Sequence, residues 1–419
     1  MALLLSTAFA LFAGLMMTRT FKYLHLSFPD VTAYLIAGVL VGPYALGRLL
    51  PVFGFASMDE LGQVNILCRI ALGFIAFDIG NEFRLAQLRQ MGKAATVIGI
   101  FQAVTASLVT GGALIALYFA IGRDVLPLPA AIILGAVASA TAPAATLMVV
   151  RQFKAKGPVT SLLLPIVALD DAAGLVIFAV AMGIAQALNG GQIDAASVIL
   201  QPMLEIGSSL MLGTLMGALL SWLEKMFFSN TNRHAMTVAF VLMTIALSAR
   251  LHLSALLVCM MLGTAFCNMS EYSTDIMRRS EQWSAPLYAV FFVLSGAQLE
   301  LGVFRYPAVV LIGIVYIAAR CAGKYLGASW SSDFLGCEPM VRKYLGITLF
   351  PQAGVALGMA ISAQTLGGDV GALVRNIVLF SVFVYELVGP MLTKMALSRA
   401  GEISPASSET HYRSRFEHK

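Results

Sequence analysis

The chain has 419 residues; 59% belong to the nine apolar types, only 12% are charged, and the mean hydropathy is +0.84. Soluble globular proteins are about half apolar and a quarter charged, so this composition excludes a soluble protein, which could not cover its own surface, and predicts an all-α polytopic membrane protein. The formal charge of +5 arises from basic loops between apolar spans and calls for no nucleic-acid partner. Cys68, Cys259, Cys267, Cys321 and Cys337 are scattered without CxxC or His pairing, which argues against a disulfide framework, a bound transition metal or a redox site.

Runs of about 20 apolar residues mark transmembrane helices. Thirteen such spans are predicted, near 2–18, 31–48, 60–81, 94–120, 128–150, 158–188, 196–223, 234–249, 253–270, 284–301, 306–329, 341–366 and 372–396. The first, "AFALFAGLMMTRTFK", has Arg19 and Lys22 after its apolar stretch, the wrong polarity for a cleaved signal peptide, and is expected to stay as a helix with its N-terminus outside. With that orientation nineteen of the 27 Lys and Arg residues fall in inner loops and tail, five in outer loops and three within spans. This asymmetry fits the positive-inside rule and puts the C-terminus in the cytosol. The tail "AGEISPASSETHYRSRFEHK" is too short for a folded domain.

Ionised groups inside spans cost about 2.5–3.5 kcal/mol each at a helix centre, so each needs a partner or a function. They are Arg69, Asp170, Asp171, Glu205, Arg320, Lys324 and Glu386, with Asp78 and Glu82 at the end of span 3. Asp170 and Asp171 are adjacent in span 6, five and six residues after Pro165, which can kink the helix. Neighbours on a helix point about 100° apart, so one acid can face a water-filled cavity while the other meets a cation. Lys324 is the expected partner of Asp170, and Arg320, one turn earlier, is assigned to Glu386 or to the cytosolic edge.

Two spans carry breaks. In span 5, "SATAPAA" places Pro143 in mid-helix, so carbonyls around Ser139 to Ala142 lose their helical donors. In span 12, "PQAGVALG" carries Pro351, Gln352, Gly354 and Gly358 at the matching depth. Paired interruptions in two halves point to an ion site at the midplane, where half-helix ends present both dipole signs. An offset of seven spans makes the halves inverted repeats: residues 1–190 form the first, 191–230 a linking helix, 231–399 the second and 400–419 the tail. Gly213 and Gly217 form a GxxxG pair that allows close helix approach but identifies no dimer face.

Together with these features, "YLIAGVLVGP", "FIAFDIGNEFRL", "SATAPAAT", "ALDDAAG", "FFVLSGAQLEL", "RCAGKYLG" and "FPQAGVALG" make the chain resemble the monovalent cation/proton antiporter superfamily over nearly its whole length. The resemblance is to its second branch, which includes NapA-type sodium/proton antiporters and the membrane part of Kef-type potassium efflux systems. It implies the NapA/NhaA-like antiporter fold, in which spans 4–6 and 11–13 form a mobile core beside a dimerising panel. It further implies a homodimer in a bacterial inner membrane, a transporter rather than an enzyme, and no cofactor.

Carried over by position, Asp171 resembles the obligatory carboxylate that binds cation and proton, Asp170 the acid paired with the family's lysine, here Lys324, and Thr141 the hydroxyl ligand of the unwound stretch. Ser139 lies in the same stretch. Ala142 stands where some relatives have an acid, and the large nucleotide-binding domain of Kef-type relatives has no counterpart in the tail. The implied mechanism is competition: Na⁺ or K⁺ binds Asp171, Thr141 and carbonyls while the carboxylates are ionised, and protons displace it. With two acids and one lysine, the return step carries protons on Asp171 and on either Asp170 or Lys324. A sodium-coupled symporter of an organic anion and a gated cation channel remain as alternatives from other classes.

Overall fold

The computed structural model describes residues 2–403 apart from 25–27, 46, 48–53, 81–84, 123–124, 189–194, 300–305 and 367. Within its helices the side chains of residues 2, 85–91, 171–172, 187, 195–199, 201–202, 354, 361, 364–365 and 368–369 lie outside that description. Among the described residues there are fifteen α-helices and no strand. They are α1 (Ala2–Tyr23), α2 (Asp30–Val41), α3 (Met58–Gly80), α4 (Leu85–Ile121), α5 (Leu128–Val137), α6 (Pro143–Gln152), α7 (Pro158–Leu188) and α8 (Ala195–Leu223). After these come α9 (Asn230–Arg250), α10 (Ala255–Met269), α11 (Ser273–Ala297), α12 (Pro307–Phe334), α13 (Pro339–Thr348), α14 (Gly354–Ser362) and α15 (Gly368–Arg399).

Every predicted span has its helix, and spans 5 and 12 each have two, α5 with α6 and α13 with α14. Seven of the described helices are individually long and apolar enough to cross a membrane. Proline opens α6, α7, α12 and α13, where a missing N–H costs nothing because the first turn has no helical acceptor for it. Ser229 and Ser254 cap α9 and α10 by accepting from the amides of Thr231 and Leu257. Pro165 and Pro286 sit inside continuous helices, so neither ends its span.

The chain divides into two compact units, each assembled from both halves of the sequence. Residues 1–27, 33–92 and 200–299 make the first, with α3 packed along α10 and α11. Its helices meet backbone to backbone at glycines. A Cβ added at Gly263 would lie 2.1 Å from the Phe77 carbonyl oxygen, and one at Gly38 would lie 2.0 Å from that of Val293. Gly213 and Gly217 are used within the chain, against Val258, Met261, Leu262 and Ala265 of α10. Here Asp78 is buried and accepts from Ser284 Oγ at 3.2 Å and from the Tyr288 hydroxyl. Arg69 is exposed, Glu205 is half-buried, and Glu82 lies outside the described residues.

Residues 28–32, 93–199 and 300–419 make the second unit. It gathers the six spans that the resemblance assigns to a core, together with every described side chain of the expected site. Its α7 is anchored from the far end of the sequence: the buried Glu402 carboxylate accepts from the amides of Val159 and Thr160 at 2.6 and 2.8 Å and from Thr160 Oγ1 at 2.5 Å. An anion there meets both the free amides and the positive end of the helix that bears Asp170. The repeat boundaries near 190 and 230 concern internal symmetry, which these compact units leave open.

The glycine contacts have a testable consequence. Gly263→Ala has to push α3 and α10 apart and should cost about 1–3 kcal/mol, as overpacking does, whereas Gly62, with nothing within 4 Å of its added Cβ, should accept alanine without loss. The midpoint of thermal unfolding of the purified protein in detergent distinguishes the two.

Candidate functional site

The site begins with the two breaks. α5 ends at Val137, residues 139–142 are not helical, Ala142 is extended (φ −87°, ψ 105°) and α6 starts at Pro143. α13 ends at Thr348 and α14 starts at Gly354. The breaks touch directly, because the Ala142 amide donates to the Pro351 carbonyl at 2.9 Å. Gln352 Nε2 then reaches back to the Val137 carbonyl at 2.9 Å and is held by the Tyr316 hydroxyl, also at 2.9 Å.

A carbonyl that loses its helical donor in an apolar interior must find another or pay its desolvation. Two cations of α12 meet this demand. Arg320, fully buried, donates through Nε to Ala138 O at 3.0 Å, through Nη2 to Ala140 O at 2.6 Å and through Nη1 to Phe350 O at 2.6 Å. Its planar fork thus binds both interrupted helices at once, and its guanidinium carbon lies 4.6 Å from the centroid of the Tyr385 ring. Lys324 donates to Ser139 O at 2.5 Å, to Thr141 Oγ1 at 2.9 Å and to Asp170 Oδ2 at 2.8 Å.

Asp170 and Lys324 therefore form the expected ion pair, with both side chains at zero exposure. Thr141 Oγ1 donates to Asp170 Oδ2 at 2.5 Å while accepting from Lys324, so hydroxyl, carboxylate and ammonium close a three-way ring. Gln102 of α4 donates to the other oxygen, Oδ1. Close packing puts it there: Cβ atoms added at Gly323 and Gly327 would lie 2.7 Å from Ala106 Cα and Gln102 Cα, so the glycines of "RCAGKYLG" seat α12 directly on α4.

Several expectations change. Arg320 does not pair with Glu386; its Nε, Nη1 and Nη2 each donate to a carbonyl oxygen instead. The carbonyls of 137–140 and of 350–351 each accept at least one donor from a protein side chain or amide. Ser139 takes part through its carbonyl, since its hydroxyl turns back to Ala136 O at 2.7 Å. Asp171 continues α7 beside Asp170, and its side chain lies outside the described ones. Pro143 and Gly354 stand at the first positions of α6 and α14, as helix-restarting residues. Gln102, Tyr316 and Tyr385 were missed by the sequence reading. A glutamine in the otherwise apolar "GIFQAV" was a signal for the first.

The family model for the transmembrane part of sodium/hydrogen exchangers matches residues 7–399. The chain belongs to that family. It is 23% identical over 385 residues to the Na⁺/H⁺ antiporter NhaS4 of Synechocystis, covering 88% of this chain and 91% of the relative. It is 24% identical to the chloroplastic K⁺ efflux antiporter 1 of Arabidopsis thaliana, covering 91% of this chain but 32% of that longer protein. The sodium proton antiporter MjNhaP1 of Methanocaldococcus jannaschii shares its fold, with a TM-score of 0.70 at 16% identity over 96% of this chain and 99% of that one. The resemblance to the monovalent cation/proton antiporter superfamily is borne out, and the chain is an integral membrane protein with an antiporter fold.

Removing Arg320 should be far more damaging than removing an exposed cation. Arg320→Met leaves three buried carbonyls without donors, at about 1–3 kcal/mol each, so the unfolding midpoint in detergent should fall steeply; Arg320→Lys, without the planar fork, should recover only part of it. Arg69→Met should leave the midpoint near that of the unmodified protein.

Proposed function

We propose that this protein is a secondary transporter that exchanges a monovalent cation for protons by alternating access, with Na⁺ the favoured cation and K⁺ and Li⁺ of the same oxygen-seeking class. The observation that carries this reading is the buried Lys324–Asp170–Thr141 ring at the meeting point of two broken helices, next in sequence to a second acid, Asp171. At that depth an ion pair alone would be a costly way to pack helices. Beside a carboxylate that trades a proton for a cation, it fixes the local charge.

In this mechanism Asp171 is the exchanging carboxylate. Ionised, it binds the cation together with oxygens of the Thr141 region; protonated, it releases the cation, so the two substrates compete for one charge. Two protons enter for each cation that leaves, which moves one net positive charge inward. A sodium-coupled symporter of an organic anion would need donors for its substrate. At the crossing each of Arg320's three nitrogens already donates to a carbonyl oxygen, which disfavours that alternative. We place the chain in the second branch of the superfamily as a homodimer in a bacterial inner membrane, with thirteen crossings, its N-terminus outside and its C-terminus in the cytosol. It needs no cofactor.

The test is exchange in liposomes containing purified protein, with Na⁺ or Li⁺ as test cation and the potential clamped by a potassium ionophore. An inside-negative potential should accelerate exchange, since each charge crossing the whole field gains about 2.3 kcal/mol per 100 mV. Asp171→Asn should reduce cation-coupled proton movement at least a hundredfold while leaving a folded protein. Robust exchange by that variant would refute the site assignment, and a rate indifferent to potential would mean one proton per cation.

A further inference from the structure

Glu386 has no role in the site as built so far. It lies in α15, is 5% exposed, and its Oε2 has no hydrogen-bond partner. Its place in the helix is nevertheless set by the crossing. The preceding Tyr385 lies with its ring against the Arg320 guanidinium and donates its hydroxyl proton to Ile317 O at 3.0 Å. Gly389, one turn further along and on the same face as Glu386, packs on the break itself, where an added Cβ would lie 3.1 Å from Pro351 Cα.

The helices packed against α15 offer few groups that could answer a charge on Glu386. On α12 they are Tyr316, Arg320, Cys321, Lys324 and Tyr325, with Asp333 at its far end, and the two cations donate to Ala138, Ala140, Phe350, Ser139, Thr141 and Asp170. α13 carries Arg342, Lys343 and Tyr344 in its first six residues, and α6 carries Arg151 at its far end; α5, α14 and the turn at Ala363–Leu366 carry none. On α15 itself Asp369, Arg375, Lys394 and Arg399 are two turns or more away along the helix. Among the described residues Glu386 forms neither an ion pair nor a hydrogen bond. In a membrane interior such a carboxyl group is stable only when neutral, unless a cation arrives to balance it.

We propose that Glu386 is the second proton-carrying carboxylate of the transport site, giving up its proton when a monovalent cation enters the crossing and regaining it when the cation leaves. This rests on the exchange reading above and deepens it. The sequence alone offers Asp170 or Lys324 for the second proton, but these two are bonded to each other, with Thr141, Ser139 and Gln102 around them, and neither can change charge without breaking the ring. Glu386 titrates without that cost. The loaded site then holds Arg320, Lys324 and the transported cation against Asp170, Asp171 and Glu386, three charges of each sign. With the cation gone and protons on Asp171 and Glu386, it carries one net positive charge, which is the charge moved on the return step.

The experiment compares the unmodified protein with Glu386→Gln and Glu386→Asp in liposomes. It measures the potential at which cation-coupled proton flux reverses, and, in detergent, the protons released when Na⁺ is added to the purified protein. The unmodified protein and Glu386→Asp should show two protons per cation. Glu386→Gln should show one, with exchange slowed, indifferent to potential, and Na⁺ bound more weakly but still bound. If Glu386→Gln is too slow to give a reversal potential, the release measurement decides: one proton supports the proposal and two overturn it. Loss of all Na⁺ binding in Glu386→Gln overturns it too, by making Glu386 a determinant of the fold or a direct ligand. A count of one proton in the unmodified protein overturns the proposal while leaving exchange intact. Absence of any cation-coupled proton movement would instead refute the exchange reading itself.

Discussion

A helix broken inside an apolar bundle exposes carbonyl oxygens that no water can satisfy, and in this protein two helices are broken at the same place. The arrangement of the second unit follows from meeting that demand. Six carbonyls, from Val137 to Ala140 and at Phe350 and Pro351, receive donors from one arginine, one lysine, one glutamine and one amide. Arginine suits the central position because its rigid fork spans three acceptors on two chain segments without a counter-anion. Lysine, a compact donor with three protons, suits the point where one carbonyl, one hydroxyl and one carboxylate converge.

Satisfying the carbonyls with cations creates a charge problem, and the function is built on its solution. Carbonyl oxygens offset part of the positive charge of Arg320, Asp170 offsets that of Lys324, and the surrounding helices have to come close enough to keep water out. The glycines of α12 permit that approach, bringing Gln102 of α4 onto the second oxygen of Asp170. A site so evenly balanced responds strongly to one more charge. In the proposed mechanism a cation enters as a carboxylate loses its proton, so coupling between the two ions is an electrostatic consequence of a buried, already neutralised centre.

Much of this was legible in the sequence. Prolines at 143 and 351 located both breaks, and a lone lysine in span 11 found the aspartate of span 6, because a buried charge has few partners to choose from. Arg320 was harder. Sequence shows that a buried cation must be compensated, but not whether an acid or a set of carbonyls does so, and the carbonyls exist as acceptors only once the breaks are placed against α12. Gln102 depended on the helix approach at Gly323 and Gly327, which no periodicity reveals. Helix lengths differed for a simpler reason. Hydropathy marks the apolar stretch and not the hydrogen-bonded one, so α11 begins at Ser273 within a polar segment that reads as a loop, and α4 begins at Leu85.

The central claim is that protons and cations are alternative occupants of one carboxylate site beside a fixed ion pair. Its most direct test is the apparent cation affinity of exchange, measured in liposomes as pH is varied across the range in which the site titrates. Competition predicts that affinity improves as pH rises, because deprotonated carboxylates hold the cation, and weakens steadily toward acid while the maximal rate at saturating cation changes less. An affinity constant across that range would show that the two ions do not share the site, and would contradict the account.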